Sequence, residues 1–254
     1  MEGNNAVIKV ENLTKKYEDV VAVDNISFEV AQGEIFGLLG PNGAGKTTTL
    51  EIIETLRKPT EGKIFVDEID ILEHPWEVKS RIGVQLQAAG FYPDLTLVEL
   101  LKMFALLYQV KINPVEILKK FNLEEKKGSF WQKLSGGQKQ RFSLATTLIH
   151  NPKIIFLDEP TTGLDPQGRA NLWGEIQKIH KEERTIILTT HYMEEAEQLC
   201  DRVAIMDKGK IVKIGTPHKL IDELLAAGFE KKQEVKKADL EDVFLNLTGR
   251  HLRD

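Results

Sequence analysis

Apolar and polar residues alternate in AVIKVENL (residues 6–13) and NISFEV (25–30). That spacing predicts half-exposed antiparallel strands. EIFGLLG (34–40) is apolar almost throughout, as a strand covered on both faces is. It runs into a glycine-rich loop, and KTTTLEIIETL (46–56) then reads as a helix. GKIFVDE (62–68) and IGVQLQ (82–87) predict two further strands.

From about residue 88 to 149 the apolar spacing becomes helical. LTLVELLKMFALLYQV (95–110) places Leu97, Leu100, Leu101, Phe104 and Leu107 on one side of a helix. NPVEILKKF (113–121) predicts another, with Asn113 as its cap and Pro114 in its first turn. Strands then return as KIIFLDEP (153–160), TIILTT (185–190) and RVAIMD (202–207), with helices after Asp165 and His191. Such alternation implies a parallel sheet with crossover helices. GKIVKIGTP (209–217) predicts a short closing strand or hairpin arm. The predicted fold is α/β: a core formed by residues 1–87 and 151–224, which includes an N-terminal antiparallel β-subdomain, and a helical subdomain inserted at 88–150. A short helical tail, 225–254, is charged (EKKQEVKK) and then amphipathic (LEDVFLNL).

Composition narrows the function classes. The chain has 254 residues, 34 basic and 39 acidic, for a net charge of −5. A nucleic-acid binder would carry a basic excess or stripe, so no nucleic-acid partner is expected. The single cysteine, Cys200, cannot form an intramolecular disulfide, which fits a reducing compartment. No apolar run approaches the ~20 residues that cross a bilayer, and the N-terminus lacks the pattern of a signal peptide.

The loop after the third strand carries the clearest chemistry. Gly40-x-x-x-x-Gly45-Lys46-Thr47 is a complete phosphate-loop pattern in its required strand–loop–helix context. Its backbone N–H groups turn inward around phosphate oxygens, and the next helix adds its positive N-terminus. Lys46 reaches the terminal phosphates, and the Thr47 hydroxyl can ligate Mg²⁺. KIIFLDEP ends an apolar strand on Asp158 and Glu159. Adjacent carboxylates there are costly without partners or work. Beside a phosphate loop, Asp158 fits the metal and Glu159 the group that orients and deprotonates a water. His191 ends another apolar strand, where a parallel sheet places functional groups. Its imidazole can bond a γ-phosphate or the attacking water. Gln87 suits a weak, withdrawable metal or water ligand, with Gln85 as a competitor. Tyr17 suits stacking on adenine, and equally an ordinary edge-strand aromatic. LSGGQ (134–138) is a second glycine-rich helix start. It offers Ser135 and backbone N–H groups to an anion, yet one nucleotide does not easily engage two such loops of one chain.

Taken together, GPNGAGKTT (40–48), LSGGQKQR (134–141), IIFLDEP (154–160), TTGLDP (161–166) and TTHYMEEAE (189–197) resemble the ATP-binding cassette (ABC) ATPases over about residues 6–220. The resemblance implies a P-loop NTPase, RecA-like core. It also implies two cassettes paired head-to-tail around two ATP molecules, so that Ser135, Gly136, Gly137 and Gln138 act on the nucleotide of the other chain. Carried over position by position, Tyr17 matches the adenine-stacking aromatic. Gly40, Pro41, Asn42, Gly43, Ala44, Gly45, Lys46, Thr47 and Thr48 match the phosphate loop, with Thr47 on Mg²⁺. Gln87 matches the metal- and water-sensing glutamine, and the stretch through Thr96 a groove for a permease helix. Asp158 matches the Mg²⁺-associated aspartate, Glu159 the general base, Asp165 the aspartate that crosses the dimer interface, and His191 the γ-phosphate sensor. The implied cofactors are ATP and Mg²⁺. The implied partners are a second ATPase subunit, in an ATP-dependent homodimer, and a polytopic membrane permease. The implied location is cytoplasmic, on the inner face of the membrane. The segments 189–212 and 238–250 resemble those of exporter-type cassettes. The alternative is a soluble ABC ATPase without a permease, acting on ribosomes, DNA or cofactor assembly. A generic P-loop kinase would leave LSGGQ unexplained.

Overall fold

The computed structural model describes residues 6–87 and 90–229. The chain divides into a unit of residues 1–219 and a second from 220 on. Most of the predicted tail, LEDVFLNL included, lies outside the described residues.

The first unit opens with β1 (Ala6–Tyr17) and β2 (Val20–Ala31), paired antiparallel. With β4 (Glu61–Val66) and β5 (Ile69–Asp70) they form a four-stranded sheet of order β2-β1-β4-β5. The alternating sequence produces alternating burial: Ile8 and Val10 are buried, while Lys9 between them is exposed. The second sheet has six strands. These are β3 (Ile35–Leu39), β6 (Ile82–Gln85), β7 (Ile154–Asp158), β8 (Thr185–Thr190), β9 (Arg202–Asp207) and β10 (Lys210–Gly215), in the order β10-β9-β3-β8-β7-β6. All its pairs are parallel except β9–β10, which is the predicted hairpin. Every residue of β3, β7 and β8 is buried, as continuous apolar runs in a sheet covered on both faces require. One apolar cluster, including Ile8, Phe28, Phe36, Leu50, Ile64 and Phe156, joins the two sheets.

The crossover elements are α1 (Lys46–Ile53), α6 (Pro166–His180) and α7 (Met193–Leu199). Between β6 and β7 the chain is helical, with α3 (Leu97–Leu107), α4 (Pro114–Lys120) and α5 (Gly136–Thr147). Asn113 caps α4 as expected, accepting from the N–H groups of Val115 and Glu116. Thr96 and Glu99 close a capping box on α3. The predicted stripe on α3 needs one correction. Leu97, Leu100 and Leu101 are buried, but Leu107 is 70% exposed and Ala105 takes the inward position. Ten residues at 3.6 per turn leave Leu107 well off the stripe, whereas Ala105 follows Leu101 by four. A short helix, α2 (Pro75–Arg81), and strand β5 carry no clear periodic signal: Val78 is the one buried residue of α2. The last helix among the described residues is α8 (Pro217–Ala226).

Candidate functional site

Strands β3, β8 and β7 lie side by side and parallel. Their C-terminal ends therefore bring Gly40, His191 and the Asp158–Glu159 pair to one edge, although these residues span more than half the chain. The backbone ties these ends together. Gly40 N–H donates to Thr190 O at 3.3 Å, and Glu159 N–H donates to Thr189 O at 3.2 Å.

The loop before α1 needs its glycines for shape. Gly45 has φ +99° and Gly43 +81°, a region that residues with a Cβ seldom enter. A Cβ on Gly45 would also lie 2.5 Å from Ala22 O, whereas one on Gly43 would meet no atom within 4 Å. α1 starts without a side-chain cap and without an acid in its first turn. Its first N–H groups are thus free for an anion, which the helix dipole favours. Val20, Val21, Ala22, Asn42, Gly43, Gly45, Lys46, Thr47, Thr48, Gln87, Glu159 and Lys208 line one cavity of about 560 Å³.

Lys46 is 4% exposed. Its ammonium donates to Gly40 O at 2.8 Å and Pro41 O at 3.0 Å, and lies 3.6 Å from Glu159 Oε1. Four side chains converge on Glu159. Gln87 Nε2 and Thr162 Oγ1 donate to its Oε2 at 3.2 and 3.0 Å, while Lys46 Nζ and His191 Nδ1 face its Oε1, the latter at 3.3 Å. Glu159 holds φ +46°, a strained backbone for a residue with a side chain. Beside it, Thr47 Oγ1 donates to Asp158 Oδ1 at 3.1 Å, and the Thr189 hydroxyl donates to the same oxygen. Burial raises the pKa of Asp158, the hydroxyls of Thr189 and Thr47 oppose the shift, and Glu159 adds to it. Glu54, in the turn after α1, is buried with its Oε1 unpartnered. Burial first, then the charges of Asp158 and Glu51, push its carboxyl up to about 8.

The structure separates the two candidate glutamines. Gln85 is buried and donates to Gln140 Oε1 at 2.8 Å, whereas Gln87 reaches Glu159. Tyr17 is 37% exposed near the cavity's Val20 wall but is not among the lining residues. Its ring is flanked by Lys15 Nζ at 4.9 Å and Arg57 Cζ at 5.8 Å. Ser135, Gly136, Gly137, Gln138 and Asp165 do not line the Lys46 cavity. Ser135 and Gln138 close a capping box at the start of α5, and Asp165 caps α6 by accepting from Gly168 N–H at 2.8 Å. Sequence reasoning missed Thr162, Thr189 and Lys208. The threonines carry no signal beyond their positions beside Glu159 and His191, since their hydroxyls gain meaning only once β7 and β8 are paired.

The donor set bears on a metal. Among the described residues no three His, Cys, Asp or Glu side chains cluster as a metal site. One hydroxyl and one carboxylate in contact, with a glutamine nearby, suit Mg²⁺, which keeps waters and phosphate oxygens and takes few protein ligands.

Comparison with known proteins agrees with this geometry. The family model described as ABC transporter matches residues 23–162. The Nod factor export ATP-binding protein I of Cupriavidus metallidurans is 35% identical, covering 98% of this chain and 99% of its own. Two solved structures share the fold. One is the ATP-binding cassette MJ0796, a dimer in a post-hydrolysis state bound to ADP and Pi. It is 28% identical with a TM-score of 0.76, over 83% of this chain and 98% of that one. The other is cbiO1 from Clostridium perfringens, part of the ABC transporter complex cbiONQ. It is 30% identical with a TM-score of 0.75, over 86% and 91% of the two chains. Among the described residues no helix is long and apolar enough to cross a membrane.

Proposed function

This chain is a member of the ABC transporter family and an ATP-binding, ATP-hydrolysing subunit within it, and from that premise we propose that it drives an exporter by closing head-to-tail on a second copy of itself. The convergence of Lys46, Gln87, Thr162 and His191 on Glu159 is the observation that carries this reading.

In this reading the ammonium of Lys46 exchanges its carbonyl partners Gly40 and Pro41 for the terminal phosphate oxygens of ATP. The phosphates rest on the N–H groups of residues 43–48, and Tyr17 stacks on the adenine. Thr47, Asp158 and Gln87 would hold Mg²⁺, which when bound would supply positive charge against the phosphates. Glu159 orients and deprotonates the attacking water, with Gln87 and Thr162 fixing its carboxylate. His191 bonds the γ-phosphate. Lys46 and Thr47 sit at a helix start, and Asp158, Glu159 and His191 at or just past strand ends, so the chemistry is largely positioning and electrostatics.

The LSGGQ turn explains the need for a second chain. Ser135 and Gly136 are exposed at the start of α5, outside the Lys46 cavity. Presented by a second copy, this turn offers a helix N-terminus to the γ-phosphate from the open side of the site. Asp165 faces the same junction. ATP binding then closes the dimer and hydrolysis reopens it. The segment from Gln87 through Thr96 passes that movement to a polytopic permease, with this chain on the cytoplasmic face of the membrane. The name of the Cupriavidus relative supports export as the direction, and the cbiO1 structure supports assembly with other subunits. The test is capture of the tagged chain from detergent-solubilised source membranes. A polytopic membrane protein at near-equal stoichiometry is expected. Capture with ribosomal or assembly proteins alone would overturn the transporter role in favour of an ABC ATPase without a permease.

A further inference from the structure

The cavity that holds Lys46 has a second lysine on its wall, Lys208, to which the chemistry above gives no role. Lys208 sits in the two-residue turn between β9 and β10, whose flanking residues Asp207 and Lys210 pair. It has φ +46°, and Gly209 has φ +79°. Positive φ at both central residues belongs to a tight hairpin turn that favours Asn-Gly or Asp-Gly, and it is unfavourable for a long side chain. The turn is fastened to the phosphate loop. Gly209 N–H donates to Ala44 O at 3.1 Å, and Asp24 N–H donates to Gly209 O at 2.8 Å. A Cβ on Gly40 would lie 2.3 Å from Met206 O, so the end of β9 passes directly against the start of that loop.

The order of the strands places this lysine. β9 lies on one side of β3, while β8 and then β7 follow on the other, and all four run parallel. Their C-terminal ends form a row: Lys208 after β9, the phosphate loop after β3, His191 after β8 and Glu159 after β7. The first and last of these strands are three spacings apart, about 14 Å. A nucleotide with its γ-phosphate at Glu159 and His191 runs its other phosphates back across the loop toward β9. The wall formed by Val20, Val21 and Ala22 is on that same flank, since a Cβ on Gly209 would lie 3.0 Å from Ala22 O. Lys208 is exposed, and among the described residues no hydrogen bond or ion pair engages its ammonium. Lys210, the next lysine of the hairpin, is paired with Asp24 at 3.2 Å and does not line the cavity. An unpaired cation on the wall of an anion site is available to the anion.

We propose that Lys208 is a nucleotide-binding residue that contacts the α- and β-phosphates from the flank opposite Glu159. This second cation serves ADP and ATP alike, because the phosphates it meets are common to both. A lysine in a turn that would suit asparagine better is then accounted for by the anion it meets. The inference rests on the placement of the γ-phosphate beside Glu159 and His191 given above.

Lys208→Asn separates binding from a turn role, because Asn-Gly is the sequence such a turn favours. Calorimetric titration of the full chain with ADP, and with a non-hydrolysable ATP analogue, both with Mg²⁺, reads the affinity. The proposal requires Lys208→Asn to weaken both nucleotides by the same factor, about fivefold, as for a partly exposed charge-assisted contact, while Tm is kept or raised. Lys208→Arg should retain most of the affinity. Lys210→Gln, which removes the same charge two residues away, should leave it unchanged. High salt should narrow the difference between the wild type and Lys208→Asn. Wild-type ADP affinity in Lys208→Asn overturns the proposal, as does a loss no larger than that in Lys210→Gln, which is the effect of net charge alone. A loss in Lys208→Arg as large as in Lys208→Asn marks a turn role and overturns it as well. A loss confined to the ATP analogue overturns it too, since Lys208 would then meet the γ-phosphate. Glu159→Gln with wild-type kcat would instead overturn the placement of the γ-phosphate beneath this proposal, a result on which the ADP titrations do not depend.

Discussion

Glu159 is the residue on which the site turns. Its carboxylate is 7% exposed and faces two cationic or titratable groups, Lys46 and His191, and two neutral donors, Gln87 and Thr162. Glu159→Gln keeps the size and most of these contacts but loses the basicity. ATP binding is expected to persist while kcat falls about 10²–10⁴-fold, which steady-state phosphate release measures against nucleotide titration. Glu54 is a second residue whose behaviour follows from burial. Its pKa rises from an ordinary 4.5 to about 8, so the folded chain holds a proton that the unfolded chain releases. The folded state binds more protons between those two values, and its stability declines as pH rises from about 4.5 to 8. Glu54→Gln removes this dependence. Its Tm should exceed that of the wild type by more at pH 8 than at pH 5, in thermal scans at both values. An equal shift at both pH values would show that Glu54 ionises normally.

At the scale of elements, the loop before α1 and the start of α5 solve the same problem differently. The phosphate loop frees its N–H groups by left-handed glycines and an uncapped helix. α5 starts with a capping box between Ser135 and Gln138. Gly45→Ala meets both an unfavourable φ and the Ala22 carbonyl, whereas Gly43→Ala meets only the φ. Gly45→Ala should therefore lower Tm clearly more than Gly43→Ala, while both weaken ATP binding. Ser135→Ala should cost about 1 kcal/mol of stability through the lost cap, read by denaturant unfolding. The elements themselves differ in how legible they were. Strands β3, β7 and β8 were plain because a sheet covered on both faces demands continuous apolar runs. Leu107 misled because a leucine-rich helix has more leucines than its buried stripe needs. α2 left no pattern because it buries little beyond Val78 and leaves Trp76 80% exposed. The motif residues of the site could be read because strand ends and glycine loops impose residue types at fixed spacing. The residue types alone left Gln87 and Gln85 open and the family resemblance chose Gln87; the structure parts them because Gln85 ends β6 against Gln140 of α5, whereas Gln87 lies past the strand and reaches Glu159.

At the scale of the whole molecule, the residues proposed for the site do not all come to one place within one chain. The Lys46 cavity gathers residues from β2's start, the phosphate loop, Gln87 and Glu159, and leaves Ser135, Gly136, Gly137, Gln138 and Asp165 outside it. In the proposed homodimer, a nucleotide sandwiched between a phosphate loop and a helix N-terminus would hold together two copies that each carry a net charge of −5. Two sites in such a homodimer would be identical and both competent. The most direct test is light scattering of Glu159→Gln with and without saturating ATP and Mg²⁺. The account predicts a monomer that becomes a stable dimer only when ATP and Mg²⁺ are both present. A monomer under all conditions would contradict a site completed by a second copy of this chain.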